Sequence, residues 1–143
     1  MFTHILVPHD TSDAADHALY HAKQLAKQFG AKVTLVSVIS ANPATSHAQM
    51  IQMHWVYEDQ VRSYLLSARD ELQREGISAD CYVIDHNLVA EAIIEYANSG
   101  SIDLVVMGTH GRTGFNRLWL GSVADKVRHQ VDKPLLLVQP KNT

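Results

Sequence analysis

The sequence predicts an α/β fold, a doubly wound five-stranded parallel sheet with helices on both faces. Short apolar runs alternate with stretches of helical period in the order β-α-β-α-β-α-β-α-β, and strands alternating with helices imply a parallel sheet covered on both sides. The runs are continuous rather than alternating, as strands buried on two faces are. Right-handed crossovers narrow the topology further, to a doubly wound sheet. No composition shift, internal repeat or low-complexity segment interrupts the 143 residues. Residues 1–143 therefore read as one domain, long enough for a hydrophobic core.

Ile5-Leu6-Val7, ended by Pro8, is the first strand. Thr11, Ser12 and Asp13 each offer an N-cap to the first helix. Its apolar stripe is Ala14, Ala18, Leu19, Ala22, Leu25, Ala26 and Phe29, at spacings of three and four, and Gly30 stands at the C-terminal cap position. Residues 33–39 form the second strand and 41–46 a loop. The second helix keeps its period through Met50, Met53, Tyr57, Val61, Tyr64, Leu65, Ala68 and Leu72 to Gly76. Met50, Met53 and Trp55 resemble a cofactor box, but a Met and aromatic stripe at this spacing more often serves core or partner contact. Residues 77–84 make the third strand and 88–98 the third helix, with Val89, Ala92, Ile93, Tyr96 and Ala97 inward. Residues 102–107 form the fourth strand, about 122–130 the last helix and 134–138 the last strand.

Composition excludes several classes. A net charge of −3 gives no basic field for nucleic acid. No apolar run approaches the length of a membrane span, and the opening Met1-Phe2-Thr3-His4 lacks the form of a signal peptide. A cytoplasmic protein is the expectation. The single cysteine, Cys81, has no internal disulfide partner, and its place in Ala79-Asp80-Cys81-Tyr82-Val83-Ile84 reads as a buried, inert thiol in a strand.

The chemistry concentrates in two loops. Folds of this kind bind ligands beyond the carboxyl ends of the strands, where strand order reverses. Pro8-His9-Asp10-Thr11-Ser12 follows the first strand; Gly108-Thr109-His110-Gly111 follows Asp103-Leu104-Val105-Val106-Met107, with Gly121-Ser122 after nine intervening residues, at a helix start. Glycine lets backbone N–H groups approach a ligand closely, and a helix N-terminus offers partial positive charge and free donors. Gly111 and Gly114 permit tight turns, and the Ser122 hydroxyl can donate to a phosphate oxygen. The stretch is neither a Walker A loop, lacking Gly-Lys-Ser/Thr, nor a dinucleotide fingerprint, which would follow the first strand. It reads as a phosphate cradle, the bland alternative being glycines that only satisfy turns.

Asp10 is a candidate to hold magnesium beside phosphates or to accept from a ribose hydroxyl, the alternative being a helix cap. His9 and His110 are candidates for phosphate contact, although loop histidines are more often exposed to water. Arg112 is either a phosphate partner or a solvated arginine. His17 and His21, spaced i, i+4, lack a third ligand and read as the polar flank of a helix. No nucleophile elbow and no paired acid and base stand out. The pattern favours binding over turnover.

The whole chain resembles the universal stress protein family. Ile5-Leu6-Val7-Pro8-His9-Asp10-Thr11-Ser12 is similar to its opening strand and acidic loop. Val33-Thr34-Leu35-Val36-Ser37-Val38 is similar to its second strand, with Ser37 where many members carry histidine. Gly108, Gly111, Gly121 and Ser122 complete the Gly-x2-Gly-x9-Gly-Ser spacing of the ATP-binding branch, which the other branch lacks. The resemblance implies strand order 3-2-1-4-5. It implies that Asp10 lies by the ribose or a magnesium ion, with Pro8 and Thr11 nearby; that Val38 meets adenine through backbone groups; and that Met107 and Gly108 contact the ribose. Gly111, Arg112, Gly121, Ser122 and Val123 would surround the phosphates. It also implies a homodimer along residues 135–138, an apolar edge that is itself prone to pairing. One segment departs from the family: many members carry a glycine and a proline or valine before the third helix, where this chain has Asp85-His86-Asn87-Leu88-Val89; it lies near the same sheet end, but no ligand contact is assigned to it.

The expectation is a cytoplasmic, homodimeric stress-response protein that binds ATP, with ADP or AMP as alternatives and at most slow hydrolysis. An interaction protein of the same fold with a vestigial site is the runner-up. A nucleotidyl transferase would need a His-x-Gly-His signature or a Ser-Gly-Gly loop after the first strand, and neither is present. A flavin-binding sheet is a further alternative.

Overall fold

A computed structural model describes residues 1–40, 48–110 and 120–139, with side chains in the second helix from residue 56 onward. The elements are β1 (His4–Pro8), α1 (Asp13–Phe29), β2 (Lys32–Ile39), α2 (Ala48–Arg74), β3 (Ala79–Asp85), α3 (Val89–Asn98), β4 (Leu104–Gly108), α4 (Ser122–Gln130) and β5 (Leu135–Val138). The strands form one five-stranded parallel sheet in the order β3-β2-β1-β4-β5. The predicted fold class and strand order are both present.

Boundaries shift where side chains or turns intervene. β3 begins two residues late because the end of α2 consumes the intervening chain: Gly76 takes a φ of 84° and the Ile77 N–H bonds the Leu72 carbonyl at 3.0 Å. β4 begins late because Asp103 turns its carboxylate to the chain start, accepting from the Thr3 and His4 amides at 2.8 and 3.0 Å. The first helix is capped as its sequence suggests. The Ser12 hydroxyl accepts from the Ala15 amide at 3.1 Å, and Gly30, at a φ of 69°, donates to the Ala26 carbonyl.

α1 and α2 cover one sheet face; α3 and α4 cover the other. On the first face Ala18, Ala22 and Ala26 of α1 and Val61, Leu65 and Leu72 of α2 pack on Ile5, Val7, Val33, Leu35 and Val106. Alanine on one stripe lets the α1 backbone lie close to the sheet. That stripe corrects the expected one in two places. Ala15 rather than Ala14 is buried, because the cap at Ser12 sets the helix phase. Phe29 is 39% exposed and meets Phe2 edge-on at 5.6 Å. On the second face Ile93 and Ile94 of α3 and Ala124 and Val127 of α4 pack with Met107, while Leu6, Val36 and Val105 pack with Ala97 and Ile102.

The amino-terminal end of the sheet holds a polar chain. The Ser101 hydroxyl lies 2.8 Å from His4 Nδ1, and His4 Nε2 lies 2.7 Å from the hydroxyl of fully buried Thr34. Thr34 in turn donates to Asp80 at 2.5 Å. Burial, reinforced by Lys32, lowers the affinity of His4 for a proton. Burial pushes Asp80 the other way, yet Lys32, Thr34 and Tyr82 hold it below the usual carboxylate range. Cys81 is half-buried rather than buried, and burial raises its thiol pKa. β5 is an edge strand, with Leu136 39% exposed. No described helix is long and apolar enough to cross a membrane.

Candidate functional site

Strand order reverses between β1 and β4, and a cavity of about 290 Å³ opens there, beyond the carboxyl ends of β1, β2 and β4. This is where open α/β sheets place ligands, at the lower end of the size range of small-molecule sites. One side is apolar: Val36 and Val38 from β2, Met107 from β4, Val89 and Ile93 from α3. The other side is polar: His9 and Asp10 after β1, Thr109 and His110 after β4, and Gly121 and Ser122 at the start of α4. An apolar slot facing a polar mouth suits a flat ring joined to a charged group.

The loop after β1 is internally braced. The Asp10 carboxylate accepts the Ser12 amide at 3.0 Å and also the Ser12 hydroxyl, so Asp10 is not the cap but holds the residue that is. Thr11 sits at a φ of 66°, a left-handed conformation that costs a β-branched residue about 1–3 kcal/mol. Its amide donates to His9 Nδ1 at 2.9 Å. Nδ1 therefore carries the lone pair and Nε2 the proton, which is given to Asp16 Oδ1 at 2.9 Å. The histidine is neutral, and burial lowers its pKa against the pull of Asp16 and Asp10.

The loop after β4 is tied to the sheet and to α4. The Thr109 amide bonds the Val138 carbonyl at 3.0 Å, and the Thr109 carbonyl accepts from the Gly121 amide at 2.7 Å. A Cβ on Gly108 would stand 3.3 Å from the His110 carbonyl oxygen and 3.4 Å from that of Ala14, so glycine permits this close crossing of backbones. α4 starts at Gly121 with no side-chain cap. Its first turn, residues 121–124, lies on the cavity wall and supplies helix N-terminal donors to it.

Of the sequence-predicted residues, Pro8, Asp10, Val38, Met107, Gly108, Gly121, Ser122 and Val123 meet at this cavity. Thr11 is not on its described wall and shapes the loop instead. Gly111, Arg112 and Gly114, and the side chains of Met50, Met53 and Trp55, lie outside the described residues. His9 and His110 are corrected: they are 2% and 8% exposed, not water-facing, because Asp16 satisfies the first and the Thr109 hydroxyl, at 2.8 Å, the second. Val89 sits on the wall even though its segment departs from the family, since it begins α3. Val36, Ile93 and Ala15 were missed; Val36 shares a strand face with Val38 at a spacing of two, which was the available signal. His17 and His21 stack edge-on at 4.9 Å, and no group of three metal-ligating side chains forms among the described residues.

A family model described as the universal stress protein family matches residues 1–139. Universal stress protein MJ0531 of Methanocaldococcus jannaschii is 29% identical, covering 97% of this chain and 83% of that protein. MJ0577 of the same organism is 26% identical over 100% of this chain and 98% of its own. The solved structure of MJ0577 superposes with a TM-score of 0.91, covering 100% and 99% of the two chains. A universal stress protein from Archaeoglobus fulgidus, solved in complex with dAMP, shares the fold at a TM-score of 0.68 and 20% identity, covering 96% of this chain and 97% of that one.

Proposed function

The chain belongs to the universal stress protein family, and from that premise we propose that it is a stress-response protein that binds an adenine nucleotide, ATP foremost, in the cavity between β1 and β4. The observation that carries this reading is the uncapped start of α4 facing an apolar slot across the glycine crossing at Gly108. The dAMP complex of a protein with this fold supports the ligand class.

In this reading the adenine occupies the slot beside Val38 and meets its backbone. Met107 and Gly108 contact the ribose, and Asp10 accepts from a ribose hydroxyl, with Pro8 and Thr11 shaping the loop beside it. Gly121, Ser122 and Val123, together with Gly111 and Arg112, receive the phosphates through backbone and side-chain donors. Magnesium takes oxygen ligands, and Asp10 and Ser122 supply oxygen-bearing side chains on the wall. The protein acts as a cytoplasmic homodimer paired along β5.

Purified protein heated with ATP, ADP, AMP or cyclic AMP, with and without magnesium, tests the ligand. A nucleotide at 100 times its Kd adds about 2.7 kcal/mol of stability, a clear rise in melting temperature. No shift with any of them would leave an interaction protein with a vestigial site. Mass spectrometry of freshly purified protein identifies a retained nucleotide. Light scattering tests the dimer, which Leu136→Lys on the exposed edge should split.

A further inference from the structure

The imidazole of His9 has no side-chain exposure, although it follows a strand that ends at the cavity. Its two nitrogens are both committed. Nδ1 receives the amide of the left-handed Thr11, and Nε2 gives its proton to Asp16 Oδ1. The second oxygen of Asp16 receives the hydroxyl of Tyr64, a residue of α2 that lies 48 positions away, and the Tyr64 ring lies 5.4 Å from that of His9. An unbroken chain of donors and acceptors thus runs from α2, through α1, to the backbone that carries Asp10. Tyr64 and Asp16 also wall a groove of about 350 Å³ between α1 and α2, with Leu19, Tyr20, Glu71 and Leu72. His9 borders the nucleotide cavity, so the chain joins the two spaces.

We propose that His9, Asp16 and Tyr64 are positioning residues for the nucleotide site, forming a relay from α2 through α1 that sets the backbone of Asp10 and Thr11 and with it the affinity for nucleotide. The inference rests on the nucleotide reading above and adds the residues that position that site. The chain is directional in its chemistry. Asp16 only accepts, so it fixes the proton on Nε2 and leaves Nδ1 as the acceptor that the strained Thr11 amide requires. An amide at position 16 presents a donor as well as an acceptor and permits the other tautomer, in which Nδ1 bears a proton and no longer accepts from the Thr11 amide.

The test compares wild type with Asp16→Asn, Tyr64→Phe and Asp13→Asn. Asp13 lies in the same first turn of α1 and carries the same charge, but it is not a link of the hydrogen-bond relay and acts on Tyr64 only through space. Calorimetry reads the Kd for ATP; nitrogen NMR reads the His9 tautomer and the Thr11 amide in nucleotide-free protein. Asp16→Asn should raise Kd about five-fold or more, move the Thr11 amide and populate the Nδ1–H tautomer. Tyr64→Phe should raise Kd two- to five-fold, and Asp13→Asn should change it less than two-fold. Equal Kd values for Asp16→Asn, Tyr64→Phe and wild type, or a Kd change that Asp13→Asn reproduces, overturn the relay alone. A Kd change in Asp16→Asn with the tautomer and the Thr11 amide unmoved also overturns it. Absence of nucleotide binding by wild type overturns the nucleotide reading and the relay with it.

Discussion

Ser12→Ala removes one hydroxyl that has two roles. The oxygen caps α1 through the Ala15 amide at 3.1 Å, and the hydroxyl hydrogen goes to the Asp10 carboxylate. Replacing a serine cap by alanine costs about 1 kcal/mol. A hydrogen bond to a charged group contributes about 1.5–3 kcal/mol when buried. Here the loop is half-exposed and Asp10 keeps the Ser12 amide at 3.0 Å, so the second contribution falls to about 1 kcal/mol. The expected loss is therefore about 2 kcal/mol, or roughly 4–8 °C in Tm for a chain near this length. Ser12→Gly keeps most of the capping free energy and loses the hydroxyl, so it should cost about half as much. Ser12→Thr restores both contacts and should stand near wild type. Urea unfolding measures all three, and calorimetry with ATP should show weaker binding in the alanine and glycine variants, whose Asp10 carboxylate is less fixed. A loss under about 0.5 kcal/mol for Ser12→Ala, or a Ser12→Thr protein no better than Ser12→Ala, would refute the double role.

Two further outcomes follow from the same geometry. His9 and His4 both have pKa values lowered by burial, so between their unfolded value near 6.5 and their folded values the unfolded chain binds more protons. Their contribution to stability is full above about pH 7 and is lost as pH falls through 6.5 toward the folded values, at about 1.4 kcal/mol per pKa unit of separation for buried His9 and less for His4, which solvent partly screens. The depressed carboxylates of Asp80 and Asp103 act only at lower pH, so unfolding free energies at pH 7.5 and 5.5 isolate the histidines, and a flat or rising profile toward acid contradicts the assignment. Gly108→Ala places a methyl 3.3 and 3.4 Å from two carbonyl oxygens, which must retreat by a few tenths of an ångström. It should cost about 1–3 kcal/mol and weaken ATP binding, and an unchanged Tm together with an unchanged Kd would show that the crossing is loose.

The fold was legible because its determinants are local and repeated. Ile5-Leu6-Val7 and Leu104-Val105-Val106 are continuous apolar runs, Gly30 ends a helix where it should, and the glycines after β4 announce a helix start with an open end. The cavity was legible to the extent that its walls come from strand ends, as with Pro8, Val38 and Met107. The burial of His9 and His110 was not. A polar residue is buried only if a partner satisfies it, and the Asp16–Tyr64 pair that encloses His9 joins α1 to α2 across 48 positions. The difference between Ala14 and Ala15 turns on which of three adjacent candidates caps α1, a choice made by Asp10 through contacts that no periodicity reports.

The polar chain at the foot of the sheet has a consequence for how the strands find one another. β1 and β2 consist largely of Val, Ile and Leu buried on both faces, and such strands give weak instructions about alignment. A slide of two residues returns each side chain to its own face and exchanges one apolar contact for another. Thr34 does not tolerate that exchange. It stands opposite Leu6 on β1 and Asp80 on β3, and only this alignment brings the imidazole of His4 and the carboxylate of Asp80 to its hydroxyl together. A slipped pairing strands the buried Thr34 hydroxyl, at about 1–3 kcal/mol. The chain of Ser101, His4, Thr34 and Asp80 works as a vernier: it adds little depth to the native state and raises its misaligned competitors, so three interchangeable-looking strands have one way to meet.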